Sequence, residues 1–199
     1  MSDIHSHSSE CEDLASLIEQ STLESIAKCY QCAKCSAGCP LAADMDYPPS
    51  QLLHMIQLGI PEYDEKALRS LTIWLCLACE TCYTRCPKEV DLPKIMDFLR
   101  QESLRRGLAH PQAKKIIAFH KAFLDTVRYT GRLYEAGMTA DYKLRNPASA
   151  MQDVFNAPKL FMKGKLKPFP HTVKNRKAIS RIFEKAASRE LSRTDRKGK

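Results

Sequence analysis

A run of four cysteines occurs twice in the chain, with the same intervals each time. The first run reads CYQCAKCSAGCP over residues 29–40, and the second reads CLACETCYTRCP over residues 76–87. Both follow the pattern C-x2-C-x2-C-x3-C-P. Eight of the nine cysteines lie in these two runs, so the fold has to present two matched sets of four sulfur atoms.

The intervals are those of proteins that bind iron–sulfur clusters in pairs. In two-cluster ferredoxins the first three thiolates of a run bind three irons of one cluster, and the fourth binds the other cluster. Two intervening residues let the backbone curl so that three sulfurs converge, and a proline that cannot continue a helical hydrogen-bond pattern follows the fourth. The sequence therefore predicts two 4Fe-4S clusters with crossed ligands. The predicted ligands are Cys29, Cys32, Cys35 and Cys86 for one cluster, and Cys76, Cys79, Cys82 and Cys39 for the other.

Two other uses of the cysteines are disfavoured. Structural zinc takes four ligands, usually as two C-x2-C pairs. The C-x2-C-x2-C part of each run would leave its third thiolate without a place in such a site. Disulfides are disfavoured because the cysteine count is odd, the cysteines are clustered and no export signal is evident. Cys11 lies outside both runs, and we expect it to be an ordinary thiol near the N-terminus.

The length and hydropathy of the chain indicate a domain outside the membrane. The 199 residues suffice for one compact domain with an extension. The longest apolar run, residues 71–79, is far shorter than the roughly 20 residues that a membrane helix requires. The start, MSDIHSHSSE, lacks the basic and then apolar pattern of a signal peptide. We expect a cytoplasmic protein without a transmembrane segment.

Helical periodicity dominates the secondary-structure signals. Residues 40–75, between the two runs, carry two apolar stripes at helical spacing, with Ser50 and Asp64 as predicted N-caps. A further helix is predicted from Asp91 to Gly107, another from Pro111, and a last amphipathic one over residues 178–187. No convincing alternating strand pattern is found. The predicted fold class is all-α.

Charge divides the chain into two unlike parts. Residues 1–109 hold 10 Lys and Arg against 16 Asp and Glu, whereas residues 110–199 hold 21 against 7. The basic part is repeatedly broken by prolines and contains no nucleic-acid recognition motif. We therefore predict a partly disordered N-terminal segment (residues 1–25), a cluster-binding domain (residues 26–139) and an extended basic C-terminal arm that binds a protein partner (residues 140–199).

Several segments resemble known families. The helical linker resembles the alpha-helical ferredoxin domain of succinate dehydrogenase and fumarate reductase iron–sulfur subunits, although their plant-type ferredoxin domain is absent. Together with DLPKIMDFLR (residues 91–100) and APKLFMKGKLKPFPHTVKN (residues 157–175), the two runs make the chain resemble the C subunits of heterodisulfide reductases. The resemblance implies an alpha-helical ferredoxin domain that holds two 4Fe-4S clusters.

The resemblance also implies a function. C subunits relay electrons from an A subunit with flavin and iron–sulfur centres to a B subunit whose cysteine-rich repeats hold the catalytic clusters. This sequence has neither the CCG-like repeat of a B subunit nor a flavin-binding glycine pattern, and it shows no nucleophile-and-base constellation. The expectation is a non-catalytic relay subunit of an oxidoreductase acting on a disulfide, in an anaerobic metabolism such as methanogenesis.

Two alternatives remain open from the sequence. The chain could be the iron–sulfur subunit of a flavin dehydrogenase of the glycolate, glycerol-3-phosphate or succinate type, because those subunits share the cysteine runs. It could also be an interaction module stabilised by zinc. Cluster content separates the zinc module from the other two, and the identity of co-purifying proteins separates the two electron-transfer roles.

Overall fold

The computed structural model of the protein describes residues 13–146, 162–163, 170 and 172–195. Over these residues every regular element is a helix and no strand occurs, which confirms the all-α prediction. The chain divides into two compact units, Met1–Lys114 and Lys115–Lys199. The domain boundaries predicted at residues 25/26 and 139/140 remain predictions. Cys11 and the predicted N-terminal disorder over residues 1–12 lie outside the described residues.

The first unit contains seven α-helices among its described residues. They are α1 (Leu14–Thr22), α2 (Lys34–Ala37), α3 (Pro49–Gln57), α4 (Pro61–Arg69), α5 (Thr72–Leu75), α6 (Thr81–Thr84) and α7 (Leu92–Arg105). Short 3-10 turns occur at Ile26–Lys28 and Pro111–Ala113. The Asp91 cap is confirmed, because its carboxylate accepts the Lys94 N–H at 3.1 Å. The glycine end of that helix is also confirmed, since Gly107 has a φ of +68°.

The two caps predicted in the linker are wrong. Helix α3 begins at Pro49 and α4 at Pro61, because the fixed φ of proline suits the first turn and its missing N–H costs nothing there. Ser50 instead donates its N–H to Ser36 Oγ in the first cysteine run, at 2.8 Å. Asp64 instead accepts the N–H of Leu14 at 3.3 Å, and so serves the first turn of α1 rather than that of α4.

The apolar core of the first unit lies among α1, α3, α4, α5 and α7. In α3, Leu52, Leu53 and Ile56 are buried, whereas Leu58, just beyond the end of the helix, is 44% exposed. The largest fully buried apolar side chains are Leu14, Ile18, Leu52, Ile56, Leu68, Ile73, Ile95, Met96 and Leu99. Because α3, α5 and α7 adjoin the cysteine runs in sequence, the runs are attached to packed helices.

The second unit contains α8 (Lys114–Thr130), α9 (Glu135–Arg145) and α10 (Arg176–Asp195) among its described residues. Phe119 of α8 meets the Tyr142 ring of α9 edge-on, with centroids 6.0 Å apart, and Asp125 pairs with Arg145 at 2.7 Å. Helix α9 was not predicted. The predicted helix over residues 178–187 is confirmed within the longer α10.

The described residues of the predicted C-terminal arm are largely helical, and the arm itself remains a prediction. Residues 140–145 belong to α9, and α10 continues to Asp195. Gly131 ends α8 with a φ of +83°, and a Cβ there would collide with the Val173 side chain. Residues 147–161, 164–169, 171 and 196–199 lie outside the described residues, including most of the KGKL-x-PFPH stretch. No helix formed by the described residues is long and apolar enough to cross a membrane.

Candidate metal centre

The two cysteine runs share one backbone conformation. Gln31 and Ala33 have φ values of +61° and +60°, and Ala78 and Glu80, at the equivalent positions, have +50° and +60°. Left-handed φ costs a non-glycine residue about 1–2 kcal/mol. Four such residues at matched positions mean that the surrounding structure enforces this conformation, which is a mark of functional sites.

A short helix follows the left-handed residues in each run and positions the last two cysteines. Helix α2 carries Cys35, and α6 carries Cys82. The next turn closes with an N–H···O bond from Cys39 to Ser36 at 3.2 Å in the first run, and from Cys86 to Tyr83 at 3.0 Å in the second. The backbone between the short helix and the fourth cysteine therefore makes the same turn in both runs.

The first of two cavities brings together three cysteines of the second run and one of the first. It encloses about 420 Å³ between protein atoms, partly open to solvent, and its cysteines are Cys39, Cys76, Cys79 and Cys82. Its other walls are almost entirely apolar and include Leu41, Met45, Leu92 and Met96. These four cysteines are the set predicted for one cluster.

The second cavity brings together the reciprocal set. It encloses about 380 Å³, and its walls include Cys29, Cys32, Cys35 and Cys86, together with Cys82, which lines the first cavity as well. Leu53, Val90 and Leu92 supply apolar wall. Cys82 and Leu92 line both spaces, which are therefore adjacent, and each of the other seven cysteines lines one space, in a crosswise arrangement.

The cysteines around the two cavities suit a cofactor larger than a single metal ion. Zinc would need four ligand atoms about 2.0–2.3 Å from one point. In the part of the chain that the structure describes, no group of three or more His, Cys, Asp or Glu side chains converges closely enough to hold a metal ion. Four thiols spaced around an apolar cavity suit an iron–sulfur cluster, which is coordinated at its corners.

The pKa values of equivalent thiols in the two runs are shifted in the same direction. Burial raises the pKa of Cys35 and raises that of Cys82 to about 11. The N–H of Lys34 lowers the pKa of Cys32, and the hydroxyl of Thr81 lowers that of Cys79. Thiolates in such surroundings are unfavourable without a nearby cation, so the ionised forms of Cys35 and Cys82 would require a bound cation.

One side chain from a core helix bonds to the first cysteine of each run, and neither contact was predicted from the sequence. Gln57 of α3 donates to the carbonyl of Cys29 at 2.7 Å, and Arg100 of α7 donates to the carbonyl of Cys76. Each bond joins residues more than twenty positions apart. The available signal was a polar residue beside the buried stripe of an amphipathic helix, at Gln57 next to Ile56 and at Arg100 next to Leu99.

The fold and the paired cavities define a class of metalloprotein. Residues 25–90 match the family model described as a 4Fe-4S dicluster domain. This part of the chain is such a domain, and its cofactors are two 4Fe-4S clusters. The predicted cofactors are thereby confirmed.

The particular relatives are C subunits of heterodisulfide reductases, which confirms the resemblance seen in the sequence. The chain is 34% identical over 97 residues to an iron–sulfur C subunit of the CoB–CoM heterodisulfide reductase of Methanocaldococcus jannaschii, covering 47% of this chain and 50% of that protein. It is 36% identical over 103 residues to the C subunit of the ferredoxin:CoB-CoM heterodisulfide reductase of Methanosarcina acetivorans, covering 50% and 40%.

A longer match is found at lower identity. A protein of Archaeoglobus profundus, described as similar to the C subunit of heterodisulfide reductase, is 27% identical over 135 residues, which cover 67% of each chain. In the first two matches, the chain spans only about half the length of the curated relatives it matches. These relatives are iron–sulfur electron-transfer subunits of an oxidoreductase.

Proposed function

We propose that the chain is the electron-relay subunit of a heterodisulfide reductase-like complex. The observation that carries this proposal is the crosswise grouping of eight cysteines around two adjacent apolar cavities. The 4Fe-4S dicluster domain and the C-subunit relatives support it. The sequence offers no constellation of nucleophile and base, so we assign the chain a non-catalytic role within an oxidoreductase acting on a disulfide.

We assign the ligands from the spacing of the two runs, and the two cavities support this assignment. Cys29, Cys32, Cys35 and Cys86 bind one cluster (the first-run site), and Cys76, Cys79, Cys82 and Cys39 bind the other (the second-run site). When bound, the clusters supply one-electron oxidation and reduction without a bond being made or broken in the polypeptide. The thiolates hold the irons, and apolar walls at Leu53, Val90, Leu92 and Met96 keep water from the inner faces.

The partners follow from the relatives' role. The donor is an A subunit with flavin and iron–sulfur centres, and the acceptor is a cysteine-rich B subunit that holds the catalytic clusters. The complex works in the cytoplasm of an organism with anaerobic energy metabolism, with methanogenesis as the leading candidate.

A basic helix supports the partner-binding role of the C-terminal region. In α10, Lys177, Arg181 and Lys185 recur at every fourth position and are exposed. Side chains four residues apart lie along one side of a helix. This basic row (Lys177, Arg181 and Lys185) suits an acidic surface on a partner protein.

The decisive experiment is anaerobic purification of the full chain. We expect brown protein with about eight irons and eight acid-labile sulfides per chain, as two 4Fe-4S clusters require, and visible absorption that dithionite bleaches. Colourless protein that contains zinc would refute the proposal and favour the zinc-stabilised module.

Purification from the native host tests the partners, because co-purification with a glycolate, glycerol-3-phosphate or succinate dehydrogenase would contradict the heterodisulfide reductase assignment.

A further inference from the structure

The two runs present the same backbone hydrogen-bond donors to sulfur. In each run the second cysteine receives the N–H of the residue two positions later, and the third receives the N–H of the next residue. The four pairs are Lys34 to Cys32, Ser36 to Cys35, Thr81 to Cys79 and Tyr83 to Cys82. Any difference in hydrogen bonding between the two sites therefore has to come from side-chain donors and from the donors to the first and fourth cysteines of the runs.

Side chains of the first run add three donors to the sulfurs of the first-run site. The Gln31 amide donates to Cys29 Sγ at 3.5 Å. The Tyr30 hydroxyl lies close enough to Cys32, and the Ser36 hydroxyl to Cys35, to favour the ionised sulfur in each case, although Ser36 Oγ also bonds to Ser50 Oγ at 2.7 Å. In addition, the N–H of Val90 donates to Cys86 Sγ at 3.4 Å. All four cysteines of the first-run site thus receive hydrogen bonds.

The second run lacks three of these side-chain donors. Leu77 and Ala78 stand at the positions of Tyr30 and Gln31, and neither side chain can donate a hydrogen bond. Tyr83 replaces Ser36, and its hydroxyl makes no hydrogen bond to a cysteine among the described residues. The second run has one donor of its own, the Thr81 hydroxyl, whose oxygen lies 3.4 Å from Cys79 Sγ.

The Gln31 donor is fixed by a second glutamine. Gln31 Nε2 donates to Gln57 Oε1 at 2.7 Å as well as to Cys29 Sγ. Gln57 Nε2 in turn donates to the carbonyls of Ile26 and Cys29, at 2.9 and 2.7 Å. Because both donors and the oxygen of Gln57 are engaged, Gln57 orients Gln31, and Gln31 directs its remaining N–H toward the sulfur.

Formal charges near the exposed cysteines act in the same direction. Lys34 follows Cys32 at the first-run site, and its charge favours the Cys32 thiolate, whereas Glu80 follows Cys79 at the second-run site. Arg100 lies behind Cys76 at the second-run site, but its guanidinium pairs with Asp97 at 2.8 Å. The charge of Arg100 is thus largely offset.

Hydrogen bonds to sulfur and nearby positive charge stabilise the more negative, reduced form of a cluster and raise its reduction potential. We propose that Tyr30, Gln31 and Ser36 give the first-run site the higher reduction potential of the two, with Gln57 as a positioning residue. The inference rests on the ligand assignment proposed above. It predicts that a single electron from a reduced flavin or iron–sulfur donor resides preferentially at the first-run site, which therefore faces the acceptor.

The test is a redox titration of the anaerobic holoprotein, followed by electron paramagnetic resonance. Variants Cys32→Ser and Cys79→Ser assign each signal to its site. The double variant Tyr30→Leu with Gln31→Ala gives the first run the side chains of the second. We expect its first-run midpoint potential to shift to more negative values while the second-run potential stays in place.

A control and a reciprocal variant complete the design. Tyr63→Leu with Gln51→Ala makes the same chemical changes at exposed positions of α4 and α3, and it should leave both potentials in place. The reciprocal variant, Leu77→Tyr with Ala78→Gln, should shift the second-run potential upward. It also provides a test if the first double variant does not incorporate clusters.

Two results would overturn the inference. One is a wild-type titration in which the second-run site is reduced at the higher potential. The other is an equal potential shift at both sites in the first double variant. Both results presuppose two intact clusters, so they leave the proposed function standing. An absence of clusters in the wild type would instead refute the proposed function itself.

Discussion

Asp64 shows how one residue gains a role from the fold that its sequence context does not suggest. It is only 8% exposed, its Oδ2 accepts the Leu14 N–H, and its Oδ1 has no hydrogen-bond partner. Burial raises the pKa of this carboxyl to about 6. A carboxyl whose pKa is higher in the folded state than in the unfolded chain binds protons more tightly when folded.

This pKa predicts a pH-dependent stability. The free energy of unfolding should rise as the pH falls from 7 to 5, by about 1 kcal/mol from Asp64 alone, because protonation relieves a buried charge. The measurement is denaturant unfolding of anaerobic protein at both pH values, for the wild type and for Asp64→Asn. The variant should lose that increment, and an unchanged pH dependence would show that Asp64 does not titrate in this range.

The fourth cysteine of each run allows a test of the crossed ligand assignment. Cys86→Ser should perturb the first-run site and therefore give a spectrum like that of Cys32→Ser. Cys39→Ser should resemble Cys79→Ser in the same way, because Cys39 lies in the cavity of the second run. Iron analysis and electron paramagnetic resonance provide the comparison, with Cys11→Ser as the control that retains both clusters.

The opposite pairing of spectra would contradict the assignment. If Cys86→Ser behaved like Cys79→Ser, each run would supply all four ligands of its own cluster. The positions of the cavities argue against that outcome, since Cys86 lines the cavity of the first run and not the other.

Among the helices, those with strong local signals were predicted most accurately. Helix α7 starts after a capping Asp91 and ends near Gly107, because a side-chain cap and a left-handed glycine act within a few residues of the helix ends. The starts of α3 and α4 were misplaced. Ser50 and Asp64 have the chemistry of caps, but their bonds go to Ser36 and Leu14, and those partners are adjacent only in the folded chain.

Helix α10 leads to a prediction about partner binding. The triple variant Lys177→Glu, Arg181→Glu and Lys185→Glu in the full chain should weaken capture of the A and B subunits at least tenfold, because it replaces attraction to an acidic surface with repulsion. Cluster absorption should stay intact. Pull-down or surface plasmon resonance at low salt measures the binding.

A matched variant provides the control for that experiment. Lys114→Glu, Lys115→Glu and Lys121→Glu change the net charge equally at exposed positions of α8. Equal loss of binding in both triple variants would show that overall charge matters and that the basic row does not. Unchanged binding in the α10 variant would refute the partner-binding role of this helix.

At the scale of the whole molecule, the eight-cysteine pattern made the cofactor predictable. The interval between cysteines is a local property, and the backbone conformation that it permits recurs in both runs at matched φ values. The all-α class was predictable for a similar reason, since helices form through contacts three and four residues apart. The polarity of charge between the two halves of the chain was likewise visible in composition alone.

The sequence by itself determined the type of cofactor, the set of eight candidate ligands and the helical class, because each depends on residues close together in the chain. Only the tertiary structure decided that Gln57 and Arg100 hold the two runs and that the Gln31 amide reaches the sulfur of Cys29. These features depend on atoms brought together from remote positions, as in the bond from Gln57 to Cys29. Local spacing cannot specify such contacts, because they exist only after the core has packed.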